Sequence, residues 1–364
     1  MKELEYPFDA AYIIKKRKSL KKALLADGTS RIQKKIAVFG GSTTSDIVKT
    51  LELFLLDAGI EPEFYESEYA QYFQDAMFPD EALLNFKPDI VFIHTTNRNV
   101  TNWPEMTDTA EQVDEKLHAE VSRFTAMWKS IAEKFHCPII QNNFEMPLYR
   151  LLGSRDAWDI HGRTNFLTRL NESFYAYARE NESFYIHDLN FVSADYGLKE
   201  WSNPLFWNMY KYAMCFEAIP SFAFSVSHII KSIFGKNKKA LALDLDNTLW
   251  GGVVGDDGVD GIEIGQETGV SQSYYEFQTY VKQLKSLGIV LTVCSKNDHE
   301  NAIAGLNHPE GALRPDDFVI IKANWENKDR NIAETAAELN ILPDSIVFAD
   351  DNPAEREIVR TQIK

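Results

Sequence analysis

Cysteine, long apolar runs and positive charge are all scarce in this 364-residue sequence, and each scarcity excludes a class of protein. Its three cysteines, Cys137, Cys215 and Cys294, are too scattered for a disulfide framework or a thiolate zinc cluster. No apolar run approaches the roughly 18 residues that span a bilayer, and the first residues lack the apolar stretch of a signal peptide. Lys and Arg total 38 against 54 Asp and Glu, and the net charge of −16 disfavours contact with nucleic-acid phosphates. We therefore expect a cytoplasmic protein that binds neither membranes nor nucleic acids.

Short apolar runs alternate with helical stretches from Lys35 onward, a pattern typical of a parallel sheet with helices on both faces. In this first region the pattern predicts strands at 36–39, 63–65, 90–94, 138–141 and 184–187. It predicts helices at about 45–58, 109–135, 160–180 and 201–234. The residues before this region, 1–34, are basic and amphipathic and are expected to form a helical extension.

A short polar and basic segment, 235–239, separates this region from a second alternation. There the pattern predicts strands at 240–245, 289–294, 317–321 and 345–349, and helices at 272–287, 298–306 and 328–340. The sequence thus predicts an α/β protein with an N-terminal extension and two domains, 35–235 and 236–364.

Two carboxylates stand where strand 240–245 ends, which is the edge of an open α/β sheet at which ligands bind. Strand alternation is expected to turn Asp244 and Asp246 to the same side. Two such charges need a cation or a shared proton, and hard oxygen ligands suit Mg²⁺. A strand-end Asp that only caps the next turn is the structural alternative.

Three later segments also end strands or begin a helix with polar groups: Ser295 in VCSKND, Lys328 in NWENK, and Asp350 with Asp351 in FADDNPAER. Together with the earlier string DLDNTLWGGVVGDDG, these three segments resemble, in this order, the four motifs of the haloacid dehalogenase (HAD) superfamily. The fuller strings resemble the FkbH-like family within it. The resemblance implies two three-layer αβα domains, the second a Rossmann-like HAD domain. The short spacing between the motifs leaves no room for a cap domain, so a Gly-rich flap at 250–265 is expected to roof the site.

The resemblance also implies roles at matching positions. Asp244 would be the nucleophile that forms an aspartyl-phosphate and a ligand of Mg²⁺, and Asp246 would be the general acid/base and would bind the metal through its backbone carbonyl. Ser295 and Lys328 would bind the phosphoryl group. The remaining candidates are Asp350 and Asp351 for the metal, and Asn247, Thr248 and Asn297 for the loop and the substrate.

Several choices stay open from the residues alone. Lys322 competes with Lys328 for the role of phosphate-binding cation, and Ser295 is also a plausible helix cap. Either Asp350 or Asp351 can be the principal metal ligand. Cys294, beside Ser295, is a conceivable thiol acceptor, although strand alternation favours a buried apolar role for it.

The first domain carries a weaker pattern. Ser42 after the first strand and Asn97 after a later one resemble the nucleophile and oxyanion-hole positions of SGNH/GDSL hydrolases, on a flavodoxin-like sheet. The Asp-x-x-His that should supply the base is missing, and His161 and His187 stay open as substitutes because the sequence does not show where they lie relative to Ser42. A non-catalytic docking domain is therefore preferred over a serine esterase. Its aromatic-rich segments, 201–212 and 220–234, are expected either to be buried between helices or to form the interface between the two domains.

The function predicted from these patterns is a Mg²⁺-dependent phosphohydrolase or phosphotransferase acting on a phosphorylated small molecule. The FkbH-like resemblance implies an alternative, transfer of a glyceryl unit from 1,3-bisphosphoglycerate to an acyl carrier protein with loss of phosphate. FkbH-like proteins usually continue past the last motif, whereas 13 residues follow Asp351 here. An N-terminal fragment of a longer protein is therefore expected.

Overall fold

The structure, a computed structural model, describes residues 1–363, and its contacts divide the chain into two compact units. Unit 1 is Met1–Gly235 and unit 2 is Lys236–Lys364. Each contains one sheet of parallel strands with helices between them, so the predicted α/β class with two parallel sheets is confirmed.

Unit 1 is built on a five-stranded sheet with the order β2-β1-β3-β4-β5. Its strands are β1 (Ile32–Gly40), β2 (Ile60–Glu66), β3 (Ile90–His94), β4 (Ile139–Asn142) and β5 (Phe184–His187). Its helices are α1 (Ala10–Leu25), α2 (Ser45–Asp57), α3 (Tyr72–Met77), α4 (Glu81–Phe86), α5 (Ala110–Phe135), α6 (Arg163–Glu180), α7 (Leu189–Tyr196), α8 (Leu198–Trp201), α9 (Pro204–Tyr210) and α10 (Ile219–Ile233).

Alternate residues of the central strands supply two cores, one on each face of this sheet. Val38 and Phe92 belong to a cluster with α1, α2 and α10, whereas Phe39 and Ile93 belong to a cluster with α5 and α6. Because both faces are covered, the buried part of β1 from Ile36 and nearly all of β3 are apolar, which is why their positions were predictable from sequence.

The single helix predicted at 201–234 is wrong, because α8 ends at Trp201 and two separate helices, α9 and α10, follow. Pro204 occupies the first turn of α9, and Lys211 ends that helix in a left-handed conformation with a φ of 59°. A second proline, Pro220, lies in the first turn of α10. Proline lacks the N–H that an internal helical turn requires, so each proline favours a new helix start over a continuous helix.

Unit 2 is built on a four-stranded sheet with the order β8-β7-β6-β9. Its strands are β6 (Ala240–Leu243), β7 (Val290–Ser295), β8 (Ile320–Ala323) and β9 (Ile346–Ala349). Its helices are α11 (Val254–Asp257), α12 (Gly269–Ser286), α13 (His299–Leu306), α14 (Lys328–Glu338) and α15 (Pro353–Gln362).

The strand predicted at 317–321 lies three residues too early. Pro315 begins a short 3-10 turn, and the Asp317 carboxylate accepts a hydrogen bond from the N–H of Arg314 at 2.9 Å, so these residues form a turn instead of extended chain. Strand β8 therefore begins at Ile320 and includes Lys322, a polar residue that an edge strand tolerates.

Among residues 1–363, no helix combines the length and apolar character needed to cross a bilayer.

Candidate active site

The candidate site lies at the carboxyl edge of the unit 2 sheet, where three strands end next to one another. Central strand β6 is followed directly by Asp244, neighbouring β9 is followed by Asp350, and β7 ends on Ser295. The N–H of Asp244 donates to the carbonyl of Ala349 at 2.9 Å, which joins the ends of β6 and β9. Strand order thus brings together residues that are about 50 or more positions apart in the sequence.

Three carboxylates meet at this edge. One oxygen from each of Asp244, Asp350 and Asp351 lies within 4.8 Å of the others. Asp244 and Asp350 are buried, with 6% and 7% of their surface exposed, and Asp351 is open to solvent. Hard oxygen ligands at this separation suit a Mg²⁺ ion, so the donor set fits the metal that the sequence predicts.

Lys328 supplies the positive charge beside these carboxylates. It is the first residue of α14 and is 4% exposed, with its Nζ 3.0 Å from Asp244 and 2.6 Å from Asp350. The competing candidate, Lys322, instead forms ion pairs with Glu334 and Glu338 at 3.3 and 2.6 Å. A helix N-terminus disfavours a cation, so the two carboxylates are what hold Lys328 there.

Burial and neighbouring charges shift the pKa values of Asp244 and Lys328 in opposite directions. Burial raises the pKa of Asp244 above its ordinary value, and the Lys328 ammonium and a hydrogen bond from the Ser295 hydroxyl oppose the rise without cancelling it. Burial pushes the pKa of Lys328 down, but the carboxylates of Asp244 and Asp350 outweigh it and raise the pKa. Lys328 is therefore a charged ammonium at neutral pH.

The two carboxylates of Asp350 and Asp351 are engaged differently. Asp350 binds Lys328 through one oxygen, and its other oxygen accepts from the N–H of Asn352 at 2.8 Å. The carboxylate of Asp351 forms no hydrogen bond or ion pair with the described residues, while its N–H donates to the hydroxyl of Thr248 at 3.1 Å. Asp351 is thus the member of the pair with both oxygens open to a metal.

Asp246 is not part of the carboxylate trio, contrary to the expectation that strand alternation pairs it with Asp244. Strand β6 ends at Leu243, before the alternation can reach Asp246. Its Oδ1 accepts from the indole N–H of Trp250 at 2.9 Å and from the N–H of Val254 at 3.1 Å. Its Oδ2 accepts from the amide of Asn297 at 2.9 Å. Three donors therefore fix the orientation of this carboxylate.

The remaining motif residues shape the loop that follows β6. Asn247 has a φ of 55° and accepts from the N–H of Gly252 at 3.0 Å, so it closes a turn. Asn297 is buried and reaches Asp246. The flap at 250–265 contains α11 and is pinned by two hydrogen bonds between the backbones of Gly251 and Glu263.

Two contacts that hold the loops of this site were not predicted. The indole of Trp250 is buried and binds Asp246, and the only sequence signal was its place in the motif DLDNTLW. Arg356 donates to the backbone carbonyl of Asp350 and, at 2.9 Å, to that of Asp351. Arg356 therefore fixes the loop that carries both carboxylates. In the sequence, only its place in the string FADDNPAER pointed to this contact.

Cys294 lies on the other side of β7 from this chemistry, as strand alternation favours. It belongs to an apolar cluster with Ile332 and Ala336 of α14, and its thiol contacts the carbonyl of Lys328 at 3.6 Å. Burial raises the pKa of this thiol to about 12, so it is protonated and unreactive at neutral pH.

In unit 1, Ser42 follows β1 and is 2% exposed, and its hydroxyl has no hydrogen-bond partner in the described part of the chain. Both histidines considered as its base are engaged elsewhere. His187 contacts Asn142 at 2.9 Å and Ser225 at 3.0 Å, and His161 contacts Asp159 and the carbonyl of Asp108. Neither imidazole is placed to take a proton from Ser42.

Asn97 does not direct its amide toward Ser42 either. Its Nδ2 donates to the carbonyls of Glu145 and Met146 at 3.3 and 3.5 Å, and its N–H donates to the Glu145 carboxylate at 3.1 Å. The side chain therefore joins the loops that follow β3 and β4.

Comparisons with known proteins bear on both units. The family model described as "FkbH, N-terminal domain" matches residues 35–231. The N-terminal part of the protein BF1531 from Bacteroides fragilis, a structure containing a phosphatase domain and complexed with Mg, has a TM-score of 0.85 and 31% identity. That alignment covers 95% of this chain and 91% of the other.

A GDSL-like lipase (BT0569) from Bacteroides thetaiotaomicron VPI-5482 also aligns, at 14% identity and a TM-score of 0.31, over 60% of this chain and 99% of its own. At that TM-score the likeness has no bearing on the activity of unit 1. No curated protein matches the chain. The match to the N-terminal domain model over more than half of the sequence, together with the likeness to BF1531 along nearly its whole length, shows that the chain belongs to the FkbH family.

Proposed function

We propose that unit 2 is a Mg²⁺-dependent phosphohydrolase or phosphotransferase of the HAD type that works through an aspartyl-phosphate on Asp244. The observation that carries the proposal is the buried ion pair of Lys328 with Asp244 and Asp350 beside the open carboxylate of Asp351. Phosphoryl transfer demands a positioned nucleophile and compensation of charge on the phosphoryl oxygens. This edge of the sheet provides the nucleophile, Asp244, and, through Lys328, part of the charge compensation.

Asp244, Lys328 and Ser295 have separate roles in the proposed reaction. An oxygen of Asp244 attacks phosphorus, and the bond from phosphorus to the leaving oxygen breaks. Lys328 and the hydroxyl of Ser295, both in contact with Asp244, are placed to bind the phosphoryl oxygens. Mg²⁺ held by Asp244, Asp351 and Asp350 would supply the remaining positive charge.

Asp246 is proposed as the general acid/base. It would give a proton to the leaving oxygen and later take one from the water that releases phosphate from Asp244. Its three hydrogen-bond donors, Trp250, Val254 and Asn297, hold the carboxylate in one orientation, as proton transfer at a fixed atom requires.

The test is a screen of phosphorylated metabolites with Mg²⁺ that compares the wild type with Asp244→Asn. This substitution keeps the side-chain shape and removes the nucleophile, so turnover should fall by about 10³-fold or more. Turnover that is undiminished in the variant would refute the proposal. Asp344→Asn, an exposed residue that precedes β9 and lies at the opposite end of that strand from Asp350, is the matched control and should leave turnover unchanged.

Membership of the FkbH family favours a second candidate, glyceryl transfer from 1,3-bisphosphoglycerate to an acyl carrier protein with loss of phosphate. The exposed position of Asp351 is compatible with a site open to a bulky acceptor. Phosphate release from small esters without a carrier protein supports simple hydrolysis, and release that depends strictly on the carrier supports transfer.

A further inference from the structure

A cavity of about 330 Å³ lies in unit 1, where loops following β3 and β4 meet the segment of α8 and α9. Its wall includes Asn97 and Glu145 from these loops, two arginines and three tryptophans. The carboxyl ends of parallel strands are where open α/β sheets bind ligands, and this volume suits a small molecule. The cavity belongs to unit 1 alone and is independent of the function proposed for unit 2.

The two arginines, Arg98 and Arg163, are its main charged groups. The guanidinium of Arg98 lies 5.1 Å from the ring centre of Trp207, and that of Arg163 lies 4.9 Å from the ring centre of Trp103. Within residues 1–363 neither guanidinium forms an ion pair or a side-chain hydrogen bond. Stacking on an indole restricts a guanidinium while leaving its N–H groups free to bind a planar or tetrahedral anion.

Two buried groups in the cavity wall also favour an anionic ligand. Trp201 is 2% exposed, and its indole N–H has no hydrogen-bond acceptor among the described residues. A buried donor without a partner is costly unless a ligand supplies the acceptor. Burial raises the pKa of Glu145 to about 8 despite the N–H of Asn97 and the nearby charge of Arg98, so Glu145 is mostly uncharged at pH 7 and does not repel an anion.

We propose that this cavity binds a small organic anion, a carboxylate or phosphate monoester with an apolar body. Arg98 and Arg163 hold the anionic end, and the indoles of Trp103 and Trp207 contact the body. The indole N–H of Trp201 gives the ligand one further donor. Because both the anionic end and the apolar body are recognised, a compound that has only one of them binds weakly.

The test measures binding to the full chain by isothermal titration calorimetry with three aromatic probes. Phenylacetate and phenyl phosphate carry the two anionic groups, and 2-phenylethanol is the uncharged analogue. Both anions, or one of them, should bind saturably at pH 7, and 2-phenylethanol should bind at least about tenfold more weakly. The tighter anion identifies the ligand as a carboxylate or as a phosphate monoester.

Arg98→Gln and Arg163→Gln should each weaken binding of the preferred anion by about tenfold or more, because each removes a charge-assisted contact. Both side chains are exposed, so the variants are expected to fold, and circular dichroism checks this. Arg179→Gln, on the exposed face of α6, is the matched control and should not change binding. Absence of binding by either anion, equal binding of 2-phenylethanol, or unchanged affinity in both cavity variants would overturn the proposal.

Discussion

Lys328 sets the charge balance of the unit 2 site. Two buried carboxylates repel each other, and the ammonium of Lys328, in contact with both, offsets that repulsion. Lys322, in strand β8, instead pairs with Glu334 and Glu338. These glutamates are partly exposed, so solvent screens the charges. The two lysines therefore form a natural comparison.

Lys328→Met should lower the free energy of unfolding of unit 2 by about 3–5 kcal/mol in the absence of Mg²⁺, since it leaves Asp244 and Asp350 buried without a counter-charge. Lys322→Met should cost no more than about 1 kcal/mol. Urea unfolding followed by hydrogen exchange of unit 2 peptides measures both. Equal losses in the two variants would contradict the assigned role of Lys328.

At the residue scale the sequence predicted that Asp244, Ser295 and Asp350 meet, but it misplaced Asp246. Strand ends were enough to bring Asp244, Ser295 and Asp350 to one edge, because parallel strands share that edge. The orientation of Asp246 was not predictable, since its partners Trp250 and Asn297 come from a loop and from a turn 51 residues away.

Among the secondary-structure elements, helix α13 supports the loop that carries Asp246. Gly305 lies against the indole of Trp250, and a Cβ at this glycine would stand 2.7 Å from the ring. The indole ring is rigid and its N–H donates to Asp246. Moving the ring would therefore also move the carboxylate of Asp246, the proposed general acid/base.

Gly305→Ala should therefore destabilise unit 2 by about 1–3 kcal/mol and reduce turnover through Asp246. The control is Gly269→Ala at the start of α12, where a Cβ meets nothing within 4 Å, and it should be neutral or stabilise by about 0.4–1 kcal/mol. Thermal unfolding and steady-state kinetics on both variants measure these effects. A Gly305→Ala protein as stable and active as the wild type would show that the contact with Trp250 has no structural consequence.

Strand β3 makes unit 1 sensitive to acid through His94. Burial lowers the pKa of this imidazole from 6.5 to about 3, with a smaller contribution from His187. The unfolded chain therefore binds a proton at higher pH than the folded chain does. The resulting stability is complete above about pH 6.5 and is lost as the pH falls toward 3.

From pH 7 to pH 5 the wild type should lose about 2 kcal/mol through His94, and His94→Gln should not show this loss. Hydrogen exchange of β3 and β4 amides at pH 7, 6 and 5, corrected for intrinsic rates, measures the difference between the two proteins. His187, whose pKa burial also lowers to about 3, titrates with the same sign and Glu145 with the opposite sign, but both are common to the two proteins and cancel in the difference. Identical pH dependence in the two proteins would contradict the burial argument.

Elements buried on both faces were predicted well, since an apolar run leaves little choice. Strand β3, buried on both faces, was predicted at the residues where it occurs, and so was the edge strand β5, in which only Phe184 and His187 are buried. The failures, at 201–234 and 317–321, lie where prolines and a capping Asp317 compete with periodicity, and the short helices α3 and α4 had no periodic signal long enough to detect.

For the whole molecule, the proposed metal site concerns one unit only. A ligand that binds the folded state stabilises it by mass action, by about 2.7 kcal/mol at a concentration 100 times its dissociation constant. Mg²⁺ should therefore slow hydrogen exchange in unit 2, most strongly around Asp244 and Asp351, and leave the unit 1 sheet unchanged.

Asp351→Asn should abolish this protection, because it removes the carboxylate that has no other partner among residues 1–363. Protection that spreads equally over both units, or that persists in the variant, would place the ion elsewhere.

The central claim is that phosphorus becomes covalently attached to Asp244. Borohydride reduction during turnover of the best substrate found with Mg²⁺ converts an aspartyl-phosphate to homoserine, and peptide mass spectrometry locates it. The account predicts homoserine at position 244 and none in the Asp244→Asn protein. Robust turnover with an unmodified Asp244, or with homoserine at another aspartate, would contradict it.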